Sequence, residues 1–131
     1  MKIISVRETS PSAGKEAIME ERLRRASGVM ARHGATSRIF KIGGGAGAGN
    51  YLLMNLYNSF SDASSSFQKY SADPELAKLF MERALNPAGD MTGPDLWRSV
   101  YGYPPAKPAT ILINRAYHVP RGKVQDMLAM A

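Results

Sequence analysis

Residues 51–57, Tyr-Leu-Leu-Met-Asn-Leu-Tyr, constrain the fold more than any other part of the sequence. In a β-strand, the odd-numbered residues of this run lie on one side and Leu52, Met54 and Leu56 lie on the other. Both sides are apolar, although the odd-numbered side also carries two phenols and one amide. We expect the even-numbered side to pack against helices, which leaves the odd-numbered side of the sheet to be covered by something else.

The sequence before this strand predicts the other half of a β-hairpin. Residues 36–42 are strand-like, and residues 43–50 form a glycine-rich connection. The connection matches the pattern G-x-G-x-x-A, but a dinucleotide site needs a helix directly after the glycines and an acidic residue about 20 positions later. Because a strand follows instead, the glycines are interpreted as the hairpin tip and not as a nucleotide site.

The remaining patterns complete an α+β arrangement. Residues 2–8 read as an opening strand, and residues 12–33 show the three-to-four spacing of apolar residues that is typical of an amphipathic helix. A second helical region spans Ser61 to about residue 86, and residues 95–103 read as another strand. The order β-α-β-β-α-β predicts a ferredoxin-like antiparallel sheet with helices on one face.

The C-terminal region adds a fifth strand at residues 109–118 and a short helix after Pro120. We therefore divide the chain of 131 residues into a ferredoxin-like domain, residues 1–108, and a C-terminal strand and helix, residues 109–131. The tail repeats the opening of the chain at an offset of 108 positions, where five pairs are identical: Ile3 and Ile111, Arg7 and Arg115, Gly14 and Gly122, Lys15 and Lys123, Met19 and Met127. The tail is predicted either to lie along its own sheet or, as we favour, to be exchanged with a partner subunit.

Charge and composition exclude several classes of function. The net charge of +6 includes a cluster of arginines at residues 22–32, but glutamates four positions earlier pair with two of them, as on a solvated helix surface. The strand at 51–57 lacks the basic and glycine residues of an RNA-recognition sheet, so a nucleic-acid partner is not expected. No apolar run reaches the length of a membrane span and no signal peptide is evident, which predicts a cytoplasmic protein.

The sequence shows no pattern typical of a metal site or of an activated nucleophile. The chain has no cysteine, and its two histidines, His33 and His118, share no spacing motif with a carboxylate. No nucleophile elbow or Ser-His-Asp arrangement is visible. We expect neither a metal site nor a cofactor.

Polar residues on the face that we expect to be turned away from the helices are the candidate ligand-binding residues. A few polar groups among apolar walls are typical of a small-molecule pocket. The alternative is that these aromatic residues only pack a dimer interface. The candidates are Arg7, Asn55, Tyr57, Trp97 and Tyr101.

The order of elements, with Asp73-Pro74-Glu75 in the second helical region and Trp97-Arg-Ser-Val-Tyr101 in the following strand, resembles the dimeric α+β-barrel superfamily, in particular its NIPSNAP-like and antibiotic-biosynthesis-monooxygenase-like branches. The resemblance implies a homodimer in which two sheets pack back to back as a barrel with a pocket in each subunit. It does not imply one function. The polar groups on an apolar sheet face predict binding of a small apolar or aromatic metabolite, with cofactor-independent oxygenation or isomerisation as the chemistry if the protein is an enzyme. A non-enzymatic dimerisation protein without an occupied pocket remains the alternative.

Overall fold

The computed structural model describes residues 2–102 and 109–130. Its elements, in chain order, are β1 (Ile3–Pro11), α1 (Glu16–Arg32), β2 (Thr36–Lys41), β3 (Tyr51–Tyr57), α2 (Phe60–Ser71), α3 (Pro74–Leu85), β4 (Gly89–Arg98) and α4 (Val124–Leu128). None of the helices in these ranges is long and apolar enough to cross a membrane.

The four strands form one antiparallel sheet in the order β2-β3-β1-β4. β3 and β1 are the central strands, and the register places Ile3 opposite Tyr57 and Thr36 opposite Leu56. With α2 and α3 together in the place of the second helix, this is the ferredoxin-like α+β fold that the order of sequence patterns predicts. The hairpin joining β2 and β3 is confirmed as well.

The helices begin and end where local chemistry favours it. α1 buries Met19, Leu23 and Met30, and the chain turns out of the helix at Gly34, whose φ of +101° disfavours residues with a side chain. Asp73 caps α3 and Pro74 occupies its first turn. The predicted cap at Ser61 was wrong, because Ser59 caps α2 by accepting a hydrogen bond from the Asp62 amide at 3.0 Å.

The bounds of β1 and β4 differ from the predicted ones. The strand predicted at residues 2–8 continues to Pro11, and the strand predicted at residues 95–103 begins earlier, at Gly89, and ends earlier, at Arg98. Pairing between the two strands explains the difference, because residues with weak strand propensity are held in the ladder: Pro11 lies opposite Gly89. A Cβ atom at Gly89 would lie 2.0 Å from the Ser10 carbonyl oxygen, so this close pairing requires glycine.

The chain divides into two compact units, residues 1–100 and residues 101–131. In the second unit, α4 confirms the predicted short helix. Residues 109–119 form neither helix nor paired strand, so the fifth strand is not confirmed. A strand requires a hydrogen-bonded neighbour, and residues 109–119 have none in the described structure of the single chain. The predicted domain boundary at residue 108 lies outside the described residues, as does Tyr103, but residues 99–102 are described and are not part of the strand predicted there.

The repeat at an offset of 108 positions is visible in the local backbone. Gly14 and Gly122 have φ values of +78° and +84°. Lys15 precedes α1 with φ and ψ of −109° and 7°, and Lys123 precedes α4 with −107° and 8°. The two segments therefore enter their helices through the same turn.

Candidate functional site

The helices cover the odd-numbered side of β3, which we call the covered face. Tyr51, Leu53 and Tyr57 belong to the main core cluster together with residues of all three large helices. The Tyr51 hydroxyl donates to Glu20 of α1 at 3.2 Å, and the Asn55 amide donates to the sulfur of Met30 at 3.1 Å. The expectation that Leu52, Met54 and Leu56 face the helices was therefore wrong. Both sides of β3 are apolar, so the alternation alone could not assign them.

Arg7 lies on the covered face of β1 and is only 9% exposed. Its Nη2 donates to the Tyr70 hydroxyl of α2 at 3.2 Å, and its Nη1 has no hydrogen-bond partner. In the part of the chain that the structure describes, Arg7 forms no ion pair with a carboxylate. Within the described residues, this guanidinium is therefore a buried cation without a counterion. Such a charge destabilises the fold.

The backbone opposite Arg7 is irregular. The pairing of β1 with β4 shifts between Val6 and Glu8, so that Gly93 and Pro94 together oppose Arg7. Gly93 has a φ of +99°, and a Cβ atom there would lie 2.6 Å from the Val6 carbonyl oxygen. β-bulges of this kind are common beside functional sites, where they redirect a side chain.

Two more predicted residues lie on the covered face with Arg7. Asn55 is completely buried and its Oδ1 has no hydrogen-bond partner. Tyr57 accepts a hydrogen bond of 3.5 Å from the Ser66 hydroxyl. Burial raises the pKa of Tyr57, so its phenol is neutral at pH 7 and can donate a hydrogen bond. We call the set Arg7, Asn55, Tyr57, Ser66 and Tyr70 the Arg7 cluster.

The other two predicted residues are placed elsewhere. Trp97 pairs with Ile4 on the opposite side of the sheet and is 41% exposed. Tyr101 is exposed and belongs to the second compact unit. Ser66 and Tyr70, which α2 brings over the sheet, were not among the predicted site residues. The spacing of these two residues, one helical turn apart, is the signal that could have identified them.

The side of the sheet away from the helices, which we call the open face, is mainly apolar. Its central residues are Leu52, Met54 and Leu56 of β3, all half-buried, and none belongs to the core cluster. The register places further residues beside them: Ile4, Val6 and Glu8 of β1, Arg38 and Phe40 of β2, and Asp95 and Trp97 of β4. A contiguous apolar surface of this kind marks an interaction site.

Metal ligands are not clustered in residues 2–102 and 109–130, where no group of three His, Cys, Asp or Glu side chains could hold an ion. His33 is instead paired with Asp73, its Nε2 lying 2.8 Å from Oδ2. The hydrogen bond from His33, followed by the one from the Glu75 amide, holds the pKa of Asp73 below its usual range. This histidine links the end of α1 to the start of α3.

This chain resembles known proteins in its fold and not in its sequence. No protein-family model matches the sequence, and no curated protein matches it. An uncharacterized NIPSNAP domain protein from Burkholderia xenovorans superimposes with a TM-score of 0.62 at 15% identity, over 79% of this chain and 99% of that one. The chain has the fold of the NIPSNAP domain proteins.

The same fold is seen in oxygenases. A variant of SnoaB, a cofactor-independent oxygenase from Streptomyces nogalater, has a TM-score of 0.57 at 14% identity and covers 79% of this chain and 98% of its own. A candidate antibiotic biosynthesis monooxygenase from Deinococcus radiodurans has a TM-score of 0.57 at 12% identity over 80% and 99%. At such identities the NIPSNAP and monooxygenase-like proteins establish the fold of this chain and not its activity.

Proposed function

We propose that this protein is a homodimer that binds a small apolar or aromatic metabolite between its sheet and its helices, at the Arg7 cluster. The observation that carries the proposal is the buried guanidinium of Arg7, which among residues 2–102 and 109–130 has an unpartnered Nη1 and no carboxylate counterion. A retained charge that costs stability indicates a function, and an oxyanion of a bound molecule is the partner that such a group fits.

The cluster suits chemistry in which negative charge develops on an oxygen. Arg7 would stabilise an enolate or phenolate, and the hydroxyl groups of Tyr57 and Tyr70 would orient the same oxygen. Cofactor-independent oxygenation and isomerisation both pass through such an anion, and the fold is shared with an oxygenase of that description. The cluster contains no carboxylate or histidine that could act as its base.

The open face would be covered by a second copy of the chain. A closed two-fold dimer is the commonest way to bury such a surface, and back-to-back sheets give the barrel that the sequence resembles. Trp97 would then pack in the dimer interface and not contact the ligand. Residues 109–118 carry exposed Ile111, Leu112 and Ile113 without a strand partner. These residues would form the fifth strand against the edge of the partner's sheet.

A non-enzymatic dimerisation protein is the second candidate. It is favoured by the placement of Trp97, since an apolar open face requires only a partner and no ligand. Under this alternative, Arg7 would serve the fold and not a bound molecule.

The stability of Arg7 variants separates the two candidates. We expect Arg7→Met to increase the free energy of unfolding by about 1–3 kcal/mol, because an uncompensated buried charge is replaced by an apolar side chain of similar length. Arg7→Lys keeps the charge and should give no such increase. The measurement is urea unfolding at a fixed protein concentration. Destabilisation by Arg7→Met would show that the guanidinium serves the fold, and it would overturn the ligand site.

Mass in solution tests the dimer. We expect sedimentation equilibrium to give twice the chain mass of 14.3 kDa at micromolar concentration. A chain that remains monomeric at about 100 μM would contradict the homodimer and the barrel.

A further inference from the structure

A cleft separate from the Arg7 cluster lies between α1, α3 and β4. Its volume is about 90 Å³, and its walls are almost entirely apolar. Met19 and Leu23 of α1 form one side, and Leu76, Leu79 and Phe80 of α3 form the other, with Met91 of β4 at the edge. A closed cavity of about 150 Å³ accepts benzene, so an open cleft of this size can accept one ring that projects from its mouth.

The inner end of the cleft carries an unsatisfied polar group. Thr9 of β1 lines the cleft and is 1% exposed. Its Oγ1 has no hydrogen-bond partner. Buried hydroxyl groups are normally hydrogen-bonded, and a hydroxyl can act as both donor and acceptor. The position therefore fits a ligand that places its own hydroxyl or carbonyl oxygen against Thr9.

The rim of the cleft is charged. Arg22 and Arg83 line it together with Asp90. Arg22 is held in place by a hydrogen bond of 2.7 Å from its Nη1 to the Asn86 carbonyl oxygen. Arg83 is exposed and forms no ion pair within residues 2–102 and 109–130. Two cations and one anion favour a carboxylate at the mouth, with Asp90 opposing it.

The walls favour a ring over an aliphatic chain. Phe80 and Met91 are both partly exposed at the cleft, so an aromatic ring could stack on one and contact the sulfur of the other. The cleft therefore combines three features: a deeply buried hydroxyl, apolar walls and two arginines that are more exposed than Thr9.

We propose that this cleft binds a hydroxyaryl carboxylate, with the ligand hydroxyl against Thr9, the ring between α1 and α3, and the carboxylate at Arg22 and Arg83. Arg7 does not line the cleft, so the inference does not rest on the function proposed for the Arg7 cluster. The ligand class follows from the groups that line the cleft: the Thr9 hydroxyl, the apolar walls and the two arginines.

Calorimetric titration of the full chain with 4-hydroxybenzoate, benzoate and phenol tests the assignment. We expect 4-hydroxybenzoate to bind more tightly than either of the others by about fivefold to tenfold, which corresponds to one hydrogen bond or one charge contact. Thr9→Val should abolish the preference for 4-hydroxybenzoate over benzoate. Arg83→Gln should abolish most of the preference over phenol, and Asp90→Asn should increase carboxylate affinity.

The matched control is Arg24→Gln, which removes an arginine from the same helix away from the cleft and should leave all three affinities unchanged. Thr9→Val preserves shape and removes an unpaired hydroxyl, so its melting temperature without ligand should equal or exceed that of the wild type. Absence of 4-hydroxybenzoate binding at about 10 mM would overturn the inference. A hydroxyl preference that survives Thr9→Val would do so as well.

Discussion

The two faces of the sheet differ in the polarity of their side chains and in whether helices cover them. On the covered face, polar residues are buried under helices, and Arg7, Thr9 and Asn55 each retain an unpartnered side-chain atom. On the open face, Leu52, Met54 and Leu56 are only half-buried and lie outside the core cluster.

This difference separates two kinds of site. Burying an unpaired polar group costs free energy, so the covered face is where a small ligand would be bound. Exposing apolar area also costs free energy, and that cost is relieved by a large flat partner rather than by a small molecule. Under the proposals above, adjacent residues of one strand would contribute to different functions, because their side chains point to opposite faces.

Truncation of neighbouring leucines gives the largest expected contrast. Leu53 is 1% exposed on the covered face, and Leu53→Ala should lower the free energy of unfolding by about 2–5 kcal/mol because it leaves a cavity in the core. Leu52→Ala, one residue away on the open face, should lower the free energy of unfolding by less than half as much when the protein is dilute enough to be monomeric. Urea unfolding at low protein concentration measures both. Equal losses would show that the two faces are buried alike.

A charge on the open face should break the dimer. Leu56→Asp would place a carboxylate in the proposed interface, and we expect the dimer dissociation constant to rise about a hundredfold, which corresponds to roughly 3 kcal/mol. Leu85→Asp is the matched control, because Leu85 is 84% exposed near the end of α3. Analytical ultracentrifugation separates the two variants. Dissociation by Leu85→Asp and not by Leu56→Asp would move the interface to the helices.

Alkaline titration should affect the covered face selectively. Burial raises the pKa of both Tyr51 and Tyr57, and the hydrogen bond to Glu20 adds to the effect at Tyr51. The neutral phenols therefore contribute stability that is fully present below the unfolded pKa of about 10 and is lost as the pH rises through the higher folded pKa. Tyr57→Phe should make the loss of stability between pH 10 and 12 less steep. An unchanged slope would indicate that the Tyr57 phenol reaches solvent.

The sequence predicted the elements that local patterns specify. β3 was predicted with its observed ends, since a short apolar run that directly follows a glycine-rich segment is recognisable as a strand. The ends of β1 and β4 could not be predicted, because Ser10 and Pro11 pair with Asp90 and Gly89, in a segment about 80 residues away.

For the candidate site, three of the five predicted residues lie together on the covered face, and they were expected on the opposite side of the sheet. The alternation placed Arg7, Asn55 and Tyr57 on one side correctly, but it carries no information about which side the helices cover. Trp97 was assigned to the same side as these residues, but β4 pairs with β1 so that Trp97 lies opposite Ile4, on the open face. This register is set by the pairing of two strands that are distant in the sequence, and neither strand alone reveals it.

The sequence was enough to specify a ferredoxin-like arrangement, through the order of its elements, the spacing of its apolar residues and its turn residues. These features act over a few residues, as hydrogen bonding and side-chain alternation do. Tertiary packing decided which side of β3 is covered, since that choice depends on where α1, α2 and α3 find partners for two phenols and one amide. It also decided that Arg7 is buried without a counterion, because no nearby sequence position reveals the absence of a carboxylate from residues that meet only in the folded chain.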